Sequence, residues 1–301
     1  MSLARVALAT CAHHDGFVAG DDEALGERLS AQGYEVVRPR WDDADVDWGG
    51  FDGVLIRTTW DYQHRLDEFL AWMEGVGERT RVFNAPGIVR GNVDKRYMRC
   101  LEAAGVPIVP TAWMEEVGGE GGVRAALASL GATRGVIKPV IGAGASGMLI
   151  FEEHEASRAG VHADEQVRRH GGVLVQPLLE SVRTRGELSV VLIDGELTHA
   201  VRKIPASGEW RVQIEFGGAY RLEEPGERER QVASGAVGAL CPEGPPLYAR
   251  IDLVEAPGVG VAVIEAELVE PELFFRWAPE AGGALGRALA RRLGLPVPSR
   301  G

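Results

Sequence analysis

At 301 residues, with 45% hydrophobic and 25% charged side chains, the chain has the makeup of a soluble globular protein large enough for two or three lobes. A formal net charge of −12 argues against nucleic acid and against an anionic membrane surface as partners, so any phosphate site has to be built locally. No apolar run is long enough to span a bilayer, the first residues lack the apolar core of a secretory signal, and Cys11, Cys100 and Cys241 give neither a disulfide framework nor a zinc spacing. A cytoplasmic protein is expected.

In chain order, a short apolar strand at 5–10, an amphipathic helix at 21–32 closed by Gly33 and a strand at 35–37 make a β-α-β opening. The adjacent His13 and His14 at the end of the first strand read as loop residues rather than ligands or bases. A further strand at 53–56 runs into RTTWDYQHR, and a helix follows at 66–75. Ligand loops sit at strand ends in open parallel sheets, which makes Arg57, Thr58, Thr59 and Asp61 candidates for contacts to a polar substrate. This region has no GxGxxG pattern, which argues against a nicotinamide site. Residues 82–86 read as the last strand of the lobe, a helix carrying Asp94, Lys95, Tyr97, Met98 and Leu101 ends at Gly105, and 106–111 is an extended connector. The first domain boundary is placed near Trp113.

After a helix at 123–130, a strand carries Lys138 into a loop of small residues, Gly142-Ala143-Gly144-Ala145-Ser146-Gly147, and another strand follows. Small residues let backbone amides approach phosphate oxygens, but no GK[ST] closes the loop, so it is not a Walker loop. A helix at 163–169 leads to the apolar strand 173–179, whose backbone suits an adenine edge and whose Leu178 and Leu179 suit its ring. A hairpin over 187–193 and 196–204 turns at Asp194-Gly195 and sets Glu187 roughly opposite Arg202. That pair reads either as a salt bridge or as a ribose-binding acid beside a substrate-binding arginine. Arg211 lies in WRVQ, ahead of Gly217-Gly218, and 279–293 has the spacing of a packing helix that closes the last lobe.

The stretch YARIDLVEAPGVGVAVIEAELVEPE, 248–272, sets three acids and an arginine in apolar strands. Folded about Pro257-Gly258, it brings Asp252 opposite Glu265 and Arg250 opposite Glu267. Three crowded carboxylates call for a cation between them, and hard oxygen donors suit magnesium with a nucleotide triphosphate. Arg250 then stands ready to stabilise negative charge on a substrate oxygen.

The order Lys95, Lys138, small-residue loop, QPLL, GELSV, HAVRK, WRVQ, ARID and IEAEL resembles the ATP-grasp superfamily over nearly the whole chain, in its glutathione-synthetase-like and D-alanine:D-alanine-ligase-like branches. The resemblance implies a mixed α/β and α+β fold: an N-terminal open β/α domain at 1–113, a small ATP-grasp lobe at 114–179 and a C-terminal lobe with the metal site at 180–301. It implies that Lys95 and Lys138 contact ATP phosphates, that the loop bearing Gly142, Gly144, Ser146 and Gly147 folds over them, that Gln176, Pro177, Leu178 and Leu179 hold adenine and Glu187 the ribose. Asp252, Glu265 and Glu267 would bind two magnesium ions, although the third position of this set is usually Asn in peptide ligases. The implied chemistry is carboxylate activation by ATP to an acylphosphate that an amine attacks, with Arg250, Lys138 and Arg211 as catalytic groups. Charges of both signs at Arg57, Asp61, Arg202, Arg211 and Glu270 point to small amino-acid-like substrates. The patterns WDDADVDW, LIRTTWDY and EFLAW are similar to a subgroup containing the cycloserine-forming synthetase of antibiotic biosynthesis, so ring closure stands beside intermolecular ligation, and a non-catalytic ATP-binding protein is the third reading. A homodimer is common in the superfamily.

Overall fold

The computed structural model describes residues 3–12 and 16–299; His13 and His14 lie outside them. Four parallel strands open the chain, β1 (Arg5–Thr10), β2 (Glu35–Val37), β3 (Gly53–Thr58) and β4 (Val82–Phe83), in the order β2-β1-β3-β4. The two central strands are buried throughout their apolar runs, as a parallel sheet covered on both faces requires. The helices of this layer are α1 (Gly16–Ala31), α2 (Leu66–Gly77), α3 (Pro86–Asn92) and α4 (Tyr97–Ala103). Three of them depart from expectation. Helix α4 begins only at Tyr97, so Asp94 and Lys95 lie in the turn before it. Helix α1 begins at Gly16 rather than at Asp21, because Asp21 and Asp22 are buried partners of Arg57 and not an exposed cap. Residues 82–86 are not one strand: Pro86 opens α3, where its missing N–H and fixed φ are tolerated.

A second, antiparallel sheet contains β5 (Ala112–Met114), β6 (Arg134–Pro139), β7 (Leu149–Glu152) and β8 (Val173–Pro177), in the order β5-β8-β6-β7. Helices α5 (Gly119–Ser129) and α6 (Ala156–His170) back it. They cross so closely that a Cβ on Gly160 would come within 2.4 Å of the α5 backbone. Trp113 lies inside β5, and a short helix α7 (Glu180–Arg185) takes up the chain soon after β8 ends at Pro177.

The third sheet is also antiparallel, with β9 (Glu187–Ile193), β10 (Glu196–Ile204), β11 (Ala219–Leu222), β12 (Tyr248–Ala256) and β13 (Gly260–Glu267) in the order β11-β10-β9-β12-β13. Helix α8 (Glu227–Leu240) packs on one face of this sheet. The last helix, α9 (Pro279–Leu293), does more than close its own lobe, since it lies between the third sheet and α1. Leu285 and Leu289 are fully buried in a cluster with Leu25 and Leu29 of α1 and Val191 and Ile193 of β9. Each such leucine is worth about 2 kcal/mol of transfer free energy. Tyr34 Oη donates to the Gly286 carbonyl at 2.7 Å and Gln32 Nε2 to that of Gly283 at 3.0 Å, and glycine at 286 is what lets the helices meet. Asn84 fastens the same two domains elsewhere: its Nδ2 donates to the carbonyls of Tyr248 and Leu268 at 2.8 Å each. Among the described residues, no helix is long and apolar enough to cross a membrane.

Candidate active site

The three layers enclose a cavity of about 490 Å³. Its floor is the β12–β13 hairpin, whose register pairs Arg250 with Glu267 and Asp252 with Glu265 as the alternation of side chains requires. Asp252, Glu265 and Glu267 each present an oxygen within 4.8 Å of the others. Asp252 accepts from Ser189 Oγ at 2.5 Å, Lys203 Nζ at 3.1 Å and Arg250 Nε at 3.1 Å. Burial opposes its ionisation, but Arg250 and Lys203 outweigh that and hold the carboxyl far below the usual range. Glu265, 3.1 Å from Lys95 Nζ, is half-buried and likewise held down, by Lys95 and Lys138. Glu267 behaves differently: burial, with Glu265 and Asp252 adding to it, pushes it up to about 7 despite its ion pair with Arg250. Of the three, Glu267 is the carboxylate that the adjacent cations answer least. An all-oxygen, acid-rich donor set of this kind fits magnesium and does not fit a soft metal.

Above the acids stand the phosphate-binding candidates. Lys138 is half-buried, and desolvation lowers its ammonium pKa against the pull of Glu265 and Glu187. Lys95 Nζ donates to the Gly142 carbonyl at 2.6 Å, which ties the glycine-rich loop to the acid cluster through one ammonium. Gly144 and Gly147 take φ of +59° and +71°, a backbone region open to glycine at no steric cost. The Ala143 N–H donates to Gln63 Oε1, so the N-terminal domain holds the loop from the opposite side.

The cavity wall gathers Lys95, Lys138, Gly142, Gly144, Ser146, Glu187, Arg211, Arg250, the three acids and Glu270. Other sequence candidates stand elsewhere. Gly147 lines a small adjoining hollow with Gln166 and His170. Gln176, Pro177, Leu178 and Leu179 do not line the cavity: Gln176 Nε2 donates to Thr111 at 3.1 Å and Leu179 is packed with Val109, Val182 and Val212. Arg57, Thr58, Thr59 and Asp61 are not on the wall either. Arg57 is 2% exposed and bonded to Asp22 at 3.0 Å, Thr58 Oγ1 donates to Thr10 and Asp22, Thr59 is buried, and Asp61 accepts from Trp41 Nε1 at 2.8 Å and Arg65 at 2.8 Å. The same turn presents its next residues instead, Trp60, Tyr62, Gln63 and His64.

Arg202 is the clearest correction. A bulge between Leu197 and His199 shifts the hairpin by one residue, so Glu187 faces Lys203, with Nζ at 3.1 Å, while Arg202 faces Leu188. Arg202 points away from the cavity to Glu223 and Glu229, and Lys203 reaches Asp252. Sequence reasoning missed Lys203 because nothing in HAVRK announces the bulge. It also missed Ser189, although its spacing of two from Glu187 puts both on one strand face.

ATP-dependent ligases of the ATP-grasp type clasp their nucleotide between two antiparallel lobes in this manner, and comparison with known proteins agrees. Residues 123–270 match the family model for the prokaryotic glutathione synthetase ATP-grasp domain, and residues 6–84 match that for the N-terminal domain of D-cycloserine synthetase DcsG. The cycloserine biosynthesis protein DcsG of Streptomyces lavendulae is 32% identical over 261 residues, covering 84% of this chain and 87% of that protein. The crystal structure of D-cycloserine synthetase DcsG superimposes with a TM-score of 0.88 at 30% identity, over 96% of this chain and 99% of the other. A glutathione synthetase from Rhodopseudomonas palustris is 26% identical over 238 residues, 78% of this chain and 67% of the relative. The chain belongs to the ATP-grasp ligases, in the glutathione-synthetase-like family that includes DcsG. It is a carboxylate–amine ligase, forming a carbon–nitrogen bond with ATP and magnesium. The fold expected from the order of its motifs is the fold observed.

Proposed function

We propose that the enzyme closes a ring within one small amino-acid-derived substrate of the cycloserine type, activating its carboxylate with ATP. The observation that carries this is the match of residues 6–84 to the DcsG N-terminal domain, because that domain contributes Trp60, Tyr62, Gln63 and His64 to the cavity. The glutathione-synthetase likeness covers 123–270, which is chiefly the two antiparallel lobes, and leaves the choice of acceptor open.

In this reading Lys95 and Lys138 position the transferring phosphoryl group and the loop around Gly142, Gly144 and Ser146 covers it. Asp252, Glu265 and Glu267 would hold two magnesium ions, which would neutralise charge building on the phosphoryl oxygens. The substrate carboxylate attacks the γ-phosphorus and ADP leaves; a nitrogen of the same substrate then attacks the acyl carbon and phosphate leaves. Arg250, fixed by Asp252 and Glu267, faces the oxygen that becomes negative in the second step. Lys203 and Ser189 keep Asp252 ionised and oriented, and Glu187 suits the ribose.

The test is release of ADP and phosphate from ATP and magnesium with O-ureidoserine, with single amino acids and with amino-acid pairs. Release with O-ureidoserine alone and a cyclised product supports ring closure. Release that requires two compounds overturns it in favour of intermolecular ligation, and binding of ATP with no turnover on any of them favours a non-catalytic role.

A further inference from the structure

The buried and half-buried acids of the cavity wall differ in whether a cation stands within ion-pair distance of them. Glu187 has Lys203 at 3.1 Å, Asp252 has Arg250 and Lys203, Glu265 has Lys95, Glu267 has Arg250, and Glu272 has Arg276 at 3.0 Å. Glu270 is 7% exposed, lines the cavity and has no such ion pair among the described residues. Burial, reinforced by the charge of Glu267, pushes it up to about 8 against the weaker pull of Lys95 and Arg250, neither of which comes within ion-pair distance.

Its backbone is nonetheless held from several sides. Trp60 Nε1 donates to the Glu270 carbonyl at 3.3 Å, and Arg250 donates to that of Glu272 at 3.3 Å. Asp21 of α1 accepts the N–H groups of Leu273 at 3.3 Å and Arg276 at 3.2 Å, and His199 Nε2 bonds the Leu273 carbonyl at 2.8 Å. A buried acid on a segment fixed by two domains, facing a cavity between aromatic side chains, is a preorganised receptor for a cation that the protein does not supply.

We propose that the Glu270 carboxylate binds the α-ammonium group of the substrate. The substrate is therefore an α-amino acid whose amine stays free, and the nitrogen that attacks the activated carboxyl lies farther along its side chain. This rests on the ring-closing reading and narrows it, because an α-amine held in an ion pair is protonated and is no nucleophile.

The test reads binding apart from turnover. Calorimetry with the non-hydrolysable β,γ-imido analogue of ATP and magnesium compares O-ureidoserine and serine with their des-amino counterparts, in the unmodified enzyme and in Glu270→Gln and Glu270→Ala. The unmodified enzyme should prefer the amine-bearing member of each pair by about 100-fold, and both variants should shrink that preference to about 3-fold, with affinity for the ATP analogue unchanged. No amine preference in the unmodified enzyme, or a preference that survives both substitutions, overturns the proposal. So does a variant whose defect is repaired by raising magnesium, which would make Glu270 a metal ligand. Amine preference lost in the variants while the unmodified enzyme yields no cyclic product leaves Glu270 standing and overturns the ring-closing function instead.

Discussion

Arg57 near the end of β3 and Arg250 near the start of β12 are 2% and 8% exposed, and each is paired with aspartate inside an apolar strand setting. Around Arg57 two aspartates face one guanidinium away from the cavity: Asp22 takes Nε at 3.0 Å, Asp21 stands 3.8 Å away with its carboxyl pushed up by burial, and both oxygens of Asp21 accept backbone N–H groups. Around Arg250 three acids converge on the cavity, and burial, with Glu265 and Asp252 adding to it, pushes Glu267 up to about 7. Buried charge is thus no sign of chemistry in itself. A cluster closed off from the cavity joins domains, whereas acids that converge on the cavity wall ask for a metal or a ligand.

Substitutions can break this contrast, and the largest effect belongs to the acid-rich cluster. Glu265→Gln and Glu267→Gln should each lower turnover by roughly 10³-fold or more at saturating ATP and magnesium. In scanning calorimetry without metal, Glu267→Gln should unfold no lower than the unmodified protein, since it removes an acid whose ionisation the fold opposes, whereas Glu265→Gln should unfold lower, since it gives up an acid that Lys95 and Lys138 hold ionised; a lowered value for Glu267→Gln would mean that this acid holds the fold.

The Arg57 cluster should answer in the opposite currency. Arg57→Leu leaves Asp21 and Asp22 buried without their counter-charge and should cost about 3–5 kcal/mol in urea unfolding. Adding Asp22→Asn should recover part of that loss. A variant of unchanged stability with a raised KM for the amino-acid substrate would restore Arg57 to the substrate site.

His199 tests a third way of burying a polar group, without charge. Burial lowers its pKa to about 4, so the folded protein binds fewer protons than the unfolded chain between that value and the ordinary one near 6.5. The stability it confers is full above pH 6.5 and is lost as pH falls through the folded value, on the order of 3 kcal/mol in all. His199→Gln should flatten this part of the profile, and a variant with the same acid slope as the unmodified protein would remove His199 from the account.

The smallest expected effect is at the glycine-rich loop. Gln63→Ala removes the acceptor for the Ala143 N–H and should raise the KM for ATP by about 5-fold with little change in kcat. An unchanged KM would show that the loop closes without help from the N-terminal domain.

Much of this was legible in the chain because the information was local. The hairpin at 248–272 announced its register through a period of two and a Pro-Gly turn, so Arg250, Asp252, Glu265 and Glu267 could be placed on one face before any coordinates. Lys138 and the run of small residues after it stood out by composition, and both line the cavity. The exchange of Arg202 for Lys203 was not legible, since one bulged residue reverses which side chains face the site and leaves no mark in composition. Nor was the burial of Arg57, because its partners Asp21 and Asp22 come from a helix that local pattern started five residues too late. The sequence by itself determined the elements, their order and the hairpin that supplies the acids, all of which follow from neighbours a few residues apart. Only the tertiary structure decided which charges cancel one another and which, like Glu270, are left facing the cavity, because that depends on contacts between residues hundreds of positions apart, such as those of Asp21 and Trp60 with the segment that follows β13.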